Sequence, residues 1–171
     1  MLILPCKVLM MKTILLIRHG HAVAGGGIPD VDRPLSETGK RQATAMAMVI
    51  QRRGASPDLV ICSPAKRARE TARGLAAGWN YPPERIVTEG VLYQGGSEEY
   101  TNVLEAVSDE YGCVALVAHN PVIGHMATLF SSGIIETFHP CSVAAFQVHS
   151  DHWSGLEAAD KRLLFLEVPP L

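Results

Sequence analysis

Cysteine is scarce in this sequence, and its cysteines are arranged neither as metal ligands nor as closely spaced pairs. The 171 residues contain four cysteines without a C-x-x-C pair, and the seven histidines have no spacing typical of a structural zinc site. The four are Cys6, Cys62, Cys113 and Cys141. Two of them fall in apolar runs typical of core strands. We therefore expect reduced, buried cysteines, a cytoplasmic protein and no metal site.

Long apolar runs and an excess of charge are also missing. Apolar residues make up 47% of the chain, but no uninterrupted apolar run approaches the roughly 20 residues that a membrane-spanning helix needs. Lysine and arginine number 15 against 17 aspartates and glutamates, a net charge of −2, whereas nucleic-acid-binding proteins are usually basic. The composition predicts a compact protein that binds neither membranes nor nucleic acids.

The first residues lack the basic start and the small-residue cleavage site of a signal peptide. They are mainly apolar, interrupted by Pro5 and Lys7, and Met10 and Met11 stand side by side at their end. We expect residues 1–11 to be an N-terminal extension, with the functional protein starting at one of these two methionines. Residues 12–171 are long enough for one domain with one core, and their composition does not suggest a second domain.

Apolar runs that alternate with helical patterns predict an α/β fold. The expected strands are 12–17, 59–62, 86–88, 113–118, 143–148 and 163–168. The last two are separated by a polar turn, so we expect one of them to be an antiparallel edge strand. The pattern predicts a three-layer α/β/α sandwich with a mostly parallel central sheet.

Four helix starts are predicted from capping residues. Ser36 is expected to cap a helix that ends before Gly54, and Ser63 to cap a helix over 64–77 with proline at its first position. Ser97 is expected to cap a helix that runs to about residue 110, because two glutamates occupy its first turn. Pro121 is expected to begin a helix that ends near residue 130.

Three consecutive glycines, residues 25–27, lie in the segment 22–34, but the pattern is not that of a phosphate-binding loop. It lacks G-x-x-x-x-G-K-[ST], offers no lysine to a phosphate and does not lead directly into a helix. We expect a flexible loop.

Basic and imidazole side chains follow three of the predicted strands. Arg18 and His19 end the first strand, and Gly20 allows the backbone to turn and a ligand to approach. Arg67 lies in the first turn of the helix after the second strand, and His119 ends the fourth. Ligands of open α/β sheets bind at the carboxyl ends of the strands, so we expect these side chains to surround an anion.

Four ordered blocks, each at a predicted element boundary, resemble the phosphoglycerate mutase-like histidine phosphatase superfamily. They are Arg18-His19-Gly20, R-P-L-S-E-T-G at 33–39, S-P-A-K-R-A-R-E-T at 63–71 and A-H-N-P at 118–121. The resemblance extends over residues 12–168. Within the superfamily the chain is similar to the small SixA-type phosphohistidine phosphatases.

The resemblance implies that the chain is a phosphatase in which His19 accepts the phosphoryl group, without a metal or an organic cofactor. The catalytic residues that it implies are His19, Arg18, Arg67 and His119, and the substrate-binding residues are Arg18, Gly20, Arg67, His119 and Asn120. Such roles agree with the chemistry, because a phosphoryl group in transfer needs position and positive charge. His19 must be neutral to attack, whereas His119, if protonated, would add positive charge.

A general acid is hard to find in this sequence. Larger superfamily members supply a glutamate from a long insertion before the second histidine, but here the passage over 71–119 is short. Glu89 is a candidate general acid, whereas Glu98 and Glu99 are explained as part of a helix start. Imidazole, with a pKa of about 6.5, leaves with little help, but an alkoxide usually needs a proton donor. We therefore expect phosphohistidine, carried by another protein, as the substrate.

Two alternatives stay open. The protein could be a phosphomonoesterase that acts on small molecules such as sugar phosphates, or a non-catalytic module that binds phosphorylated ligands. The presence of both histidines and both arginines argues against the binding module. The remaining histidines are expected to have structural or surface roles.

Overall fold

The computed structural model describes residues 11–170. The predicted extension over residues 1–11 lies outside the described residues except for Met11, which is exposed. Six strands form one sheet. They are β1 (Lys12–Arg18), β2 (Leu59–Cys62), β3 (Val87–Thr88), β4 (Cys113–Ala118), β5 (Val143–Val148) and β6 (Lys161–Glu167).

The strands lie in the order β3-β2-β4-β1-β5-β6. The first four strands in this order run parallel to one another. β5 is antiparallel to β1, and β6 is antiparallel to β5. The mostly parallel sheet is confirmed. The predicted antiparallel edge strand is confirmed as β6, and β5, whose direction was not predicted, is antiparallel as well. An apolar run does not encode the direction of the strand.

Helices cover both faces of this sheet. They are α1 (Glu37–Arg52), α2 (Lys66–Trp79), α3 (Val91–Gln94), α4 (Ser97–Glu105) and α5 (Val122–Phe130), with 3-10 helices at Asp30–Asp32 and Pro83–Arg85. Along β1, Ile14 and Leu16 pack into the core shared with α4 and α5, whereas Leu15 and Ile17 pack into the core shared with α1 and α2. Successive side chains of a strand point to opposite faces. These two cores confirm the three-layer sandwich.

The start of α1 agrees with the sequence, but that of α2 does not. The Ser36 hydroxyl accepts a hydrogen bond from the Gly39 amide at 3.1 Å, as expected of a cap. α2 begins at Lys66, two residues later than predicted, and its N-cap residue is Ala65. Ser63 precedes the cap, and its hydroxyl accepts from the Ala65 amide at 3.3 Å while also contacting a histidine. Instead of capping the helix, the Ser63 hydroxyl contacts His119, which is 56 positions away in the sequence.

The other helix boundaries are also corrected. α4 has Gly96 rather than Ser97 as its N-cap, and Glu99 Oε2 accepts from the Gly96 amide at 2.8 Å. It ends at residue 105 rather than near 110. Beyond it the Tyr111 amide donates to the Ser108 carbonyl oxygen at 3.1 Å in a turn, and Asp58 accepts from the Gly112 amide at 2.9 Å. α5 has Pro121 as its N-cap. The short α3 was not predicted.

α1 and α2 pack closely through small residues. A Cβ atom added to Gly74 would lie 2.9 Å from the Cβ of Ala43, and one added to Gly78 would overlap the Cβ of Ala47. The backbones can approach because these positions lack side chains. This contact sets the position of α2. Within residues 11–170, no helix combines the length and the apolarity that crossing a membrane requires.

Candidate active site

Three adjacent strand ends bring two histidines and an arginine together. β4 lies between β1 and β2, so the residues that follow these strands are neighbours at the carboxyl edge of the sheet. The ring centroids of His19 and His119 are 4.9 Å apart. Arg67, in the first turn of α2, places its Nε atom 3.2 Å from His19 Nε2. The structure thus brings together the side chains that were expected to meet.

His19 has partners that fix its tautomer. Its Nδ1 atom lies 2.7 Å from the carbonyl oxygen of Gly20, which can only accept, so Nδ1 carries the proton. Its Nε2 atom lies 3.2 Å from Nε of Arg67, which can only donate. A neutral His19 therefore keeps its lone pair on Nε2, beside the arginine.

Burial keeps His19 neutral. It is the largest of the causes that together lower the pKa of this histidine to about 4. The hydrogen bond to the Gly20 carbonyl opposes the shift, whereas the positive charges of Arg67, Arg18 and Arg33 favour it. At neutral pH the imidazole is an unprotonated base, as a nucleophile must be.

Asp30 is the residue that holds Arg67. The arginine side chain is only 7% exposed. Its Nη1 atom donates to the Asp30 carbonyl oxygen at 2.6 Å, and its Nη2 atom donates to Asp30 Oδ2 at 2.9 Å. Asp30 also accepts hydrogen bonds from Arg33 Nε at 2.9 Å and from the Tyr93 hydroxyl at 2.9 Å. These bonds, that from Arg33 first, hold the pKa of the carboxyl far below its usual range.

Sequence reasoning missed Asp30 and Tyr93. Asp30 lies in the segment 22–34, which was expected to be a flexible loop, and its short 3-10 helix has no periodic pattern. Tyr93 lies in α3, which is too short to show one. Neither residue carries a motif that could have identified it, because their contacts join segments 63 residues apart.

His119 is buried, with 8% of its surface exposed. Its Nε2 atom lies 2.7 Å from the Ser63 hydroxyl. Burial, followed by the charges of His19 and Arg67, lowers the pKa of His119 to about 3. At neutral pH, and without an anion beside it, this side chain is neutral. The structure therefore does not contain a protonated His119 that adds positive charge to the site.

Arg18 and Asn120 meet at one backbone carbonyl. Arg18 Nη1 donates to the Phe138 carbonyl oxygen at 2.8 Å, and the Asn120 amide donates to the same oxygen at 3.1 Å. Burial lowers the pKa of Arg18 from its ordinary high value, and arginine remains charged at neutral pH. The Phe138 carbonyl therefore holds the side chains of both predicted phosphate-binding residues, each of which is next in sequence to one of the two histidines.

Gly20 has a close-packed backbone. Its amide donates to the Thr71 hydroxyl at 3.0 Å, and Thr71 in turn donates to the Arg67 carbonyl oxygen at 2.7 Å. A Cβ atom added to Gly20 would lie 3.0 Å from the Gly39 carbonyl oxygen. The glycine after His19 is thus tied to α2, the helix that carries Arg67.

Glu89, the candidate general acid, follows β3. Its side chain lines an apolar groove of about 610 Å³ between the edge of the sheet and α4. Among the described residues, no hydrogen bond joins it to His19, Arg67 or His119. Its role as an acid stays a prediction.

Metal ligands are not grouped in the part of the chain that the structure describes. Over residues 11–170, no cluster of three or more histidine, cysteine, aspartate or glutamate side chains could hold a metal ion. The groups available for chemistry at the site are two neutral imidazoles, fixed arginines and one carboxylate.

Comparison with known proteins places this site in a family. The family model of the histidine phosphatase superfamily (branch 1) matches residues 14–90. An uncharacterized protein of Mycobacterium leprae is 30% identical over 167 residues, covering 90% of this chain and 99% of the relative.

Two solved structures are similar over nearly the whole chain. A proposed phosphohistidine phosphatase SixA from Nakamurella multipartitia is 25% identical, with a TM-score of 0.82, and the match covers 93% of this chain and 96% of the other. A proposed phosphohistidine phosphatase SixA from Agrobacterium tumefaciens is 26% identical, with a TM-score of 0.78, and covers 92% and 98%. The chain therefore belongs to the histidine phosphatase superfamily, as a phosphatase of the SixA type.

Proposed function

We propose that the protein removes the phosphoryl group from phosphohistidine on another protein, through a phosphohistidine intermediate at His19. The observation that carries this proposal is the tautomer of His19. The Gly20 carbonyl fixes the proton on Nδ1, which leaves the Nε2 lone pair beside Arg67. Nε2 is unprotonated and accepts a hydrogen bond from Arg67 Nε, and when that donor turns to a phosphoryl oxygen the lone pair is available for in-line attack on phosphorus.

In the first step, the lone pair of His19 Nε2 forms a bond to phosphorus while the bond between phosphorus and the substrate nitrogen breaks. The Gly20 carbonyl, at 2.7 Å from Nδ1, stabilises the positive charge that develops on the attacking ring. Arg67 and Arg18 supply charge to the phosphoryl oxygens. The substrate ring enters with a proton on its other nitrogen, so the electron pair of the broken bond stays on the departing nitrogen and neutral histidine is released.

In the second step, water attacks the phosphorus atom on His19. The bond from phosphorus to Nε2 breaks, the electron pair returns to Nε2, and phosphate leaves with the oxygen of the water. His119 lies 4.9 Å from His19, ring centre to ring centre, and is neutral before the anion binds. It can accept a proton once the phosphoryl group offsets the positive charges around it.

The substrate is inferred from the acid that the site lacks among the described residues. Glu89 lines a groove and has no hydrogen bond to the histidines or to Arg67. Imidazole leaves without a strong acid, because its pKa of about 6.5 makes it a good leaving group compared with an alkoxide. Two structurally similar proteins carry the name phosphohistidine phosphatase SixA, which supports the same substrate class.

The test compares leaving groups on one enzyme. A histidine-containing carrier protein, phosphorylated with phosphoramidate, is assayed beside an aryl phosphate and a sugar phosphate. We expect faster turnover of the phosphohistidine protein and an acid-labile phosphoenzyme that His19→Gln does not form. His125→Gln, at an exposed position of α5, is the matched control. A preference for the sugar phosphate would favour the small-molecule alternative, and binding without turnover would favour the binding module.

A further inference from the structure

Asp30 binds the guanidinium group of Arg67 on one particular edge. A guanidinium group has an end edge, formed by Nη1 and Nη2, and a side edge, formed by Nε and one Nη atom. The Asp30 carbonyl oxygen and Oδ2 accept from Nη1 and Nη2, at 2.6 and 2.9 Å. Nε, on the side edge, donates to His19 Nε2 at 3.2 Å. Asp30 therefore occupies the edge that faces away from the nucleophile.

We propose that Asp30 is a positioning residue that acts through Arg67. It holds the end edge of the guanidinium group, so that the side edge faces a phosphoryl group on His19 Nε2. Asp30 itself does not contact the phosphoryl group. The inference rests on the proposed function, because it takes His19 as the nucleophile.

Three donors support Asp30 in this role. Besides Arg67, the carboxylate accepts from Arg33 and from the Tyr93 hydroxyl. Tyr93 lies at α3, and its ring packs edge-on against the His119 ring with centroids 5.9 Å apart. The carboxylate is thus fixed from three directions although its side chain is 51% exposed. A group fixed in this way can order the arginine before substrate arrives, which lowers the entropy lost on binding.

The opposite interpretation is that Asp30 competes with phosphate for Arg67. A competing carboxylate should occupy the side edge, where the phosphoryl oxygens must lie. It occupies the end edge, and Nε remains directed at His19. The two interpretations make opposite predictions for anion affinity, because removing a competitor tightens binding and removing a support weakens it.

The test uses Asp30→Asn, with Asp32→Asn as the matched control. Asp32 is an exposed carboxylate on the same 3-10 helix. We measure kcat and KM on the phosphohistidine carrier protein, tungstate affinity by calorimetry, and the thermal midpoint. Asp30→Asn should lower kcat about 10-fold or more, since a charge-assisted hydrogen bond is lost. It should also weaken tungstate binding while leaving the midpoint equal to that of the control.

A double-mutant cycle shows whether Asp30 acts through the arginine. In an Arg67→Ala background, Asp30→Asn should cause no further loss of kcat or of tungstate affinity. Losses that multiply would overturn the proposal, as would tighter tungstate binding or a kcat within about twofold of wild type.

Failure of the proposed function has a different signature. If wild-type protein does not hydrolyse the phosphohistidine carrier, or if His19→Gln retains turnover, the proposed function is wrong. The tungstate measurements then decide the role of Asp30 alone. Weaker binding in Asp30→Asn that disappears in the Arg67→Ala background supports positioning, and any other pattern contradicts it.

Discussion

His19, the proposed nucleophile, should stay neutral well below the pH at which histidine ordinarily titrates. Burial and neighbouring arginines lower the pKa of His19 to about 4, compared with about 6.5 for a histidine in water. At about pH 5.5, roughly 97% of His19 is then neutral, whereas an ordinary histidine would be only about 9% neutral. The active fraction of the enzyme should therefore be about tenfold larger than an unperturbed histidine allows.

NMR titration of the ligand-free protein measures this pKa directly, with the histidine ring signals assigned by loss in His19→Gln. The pH dependence of kcat/KM, corrected for uncatalysed hydrolysis of the substrate, gives a second value, because it reports ionisations of the free enzyme. Replacement of Arg33 by glutamine should raise the pKa of His19, since that charge contributes to lowering it. Arg41→Gln is the matched control on α1, where the side chain is exposed.

Stability provides an independent measurement of the same shift. A histidine whose folded-state pKa is lowered takes up its proton more readily in the unfolded state, so its contribution to the free energy of unfolding decreases as the pH falls. For His19 the window runs from about pH 6.5 down to about pH 4, and the contribution lost is on the order of 3 kcal/mol. His19→Asn should lack this part of the pH dependence. A ring that titrates near pH 6.5, with unfolding energies parallel in both proteins, would refute the reasoning.

Three further substitutions test the site and the packing around it. Ser63→Ala should lower kcat about 2- to 10-fold, because the contact that orients His119 is lost, and unchanged kinetics would contradict that role. Gly78→Ala should destabilise the protein by about 1 to 3 kcal/mol in denaturant unfolding, as the added methyl group overlaps α1, whereas Gly90→Ala, with free space around it, is the matched control. Glu89→Gln should leave kcat on phosphohistidine within about twofold of wild type, and a tenfold loss would identify this residue as the general acid.

The parts of the fold that the sequence predicted well are those fixed by local pattern. β2, β4 and β5 have the predicted bounds because β2 and β4 are continuous apolar runs and β5 is interrupted only by Gln147, as strands buried on both faces require. The direction of β5 was missed, because the run of apolar residues is the same for either direction. The start of α2 was wrong because Ser63 contacts His119 in place of a cap, and that contact joins residues 56 positions apart.

In the candidate site, too, the residues with a local sequence signal were predicted and the residue placed by tertiary contacts was not. The sequence placed His19, Arg67 and His119 at strand ends, and the topology brings strand ends together. It could not place Asp30, whose loop reaches the site through tertiary contacts. Next to this loop, the Leu35 amide donates a hydrogen bond to Glu70 of α2 at 2.7 Å. The position of such a residue depends on how its loop packs, and no periodic pattern in the sequence predicts this.

The electrostatics of the site link phosphate binding to nucleophilicity. The positive charges of Arg67, Arg18 and Arg33 lower the pKa of His19, and the same charges favour the approach of an anion. Attraction of an anion and a neutral His19 thus have one cause. Asp30 limits the excess of positive charge from the far side of Arg67, and its charge opposes the lowering of the pKa of His119. A single carboxylate so placed favours proton uptake by His119, while the neighbouring arginines favour the neutral form of His19.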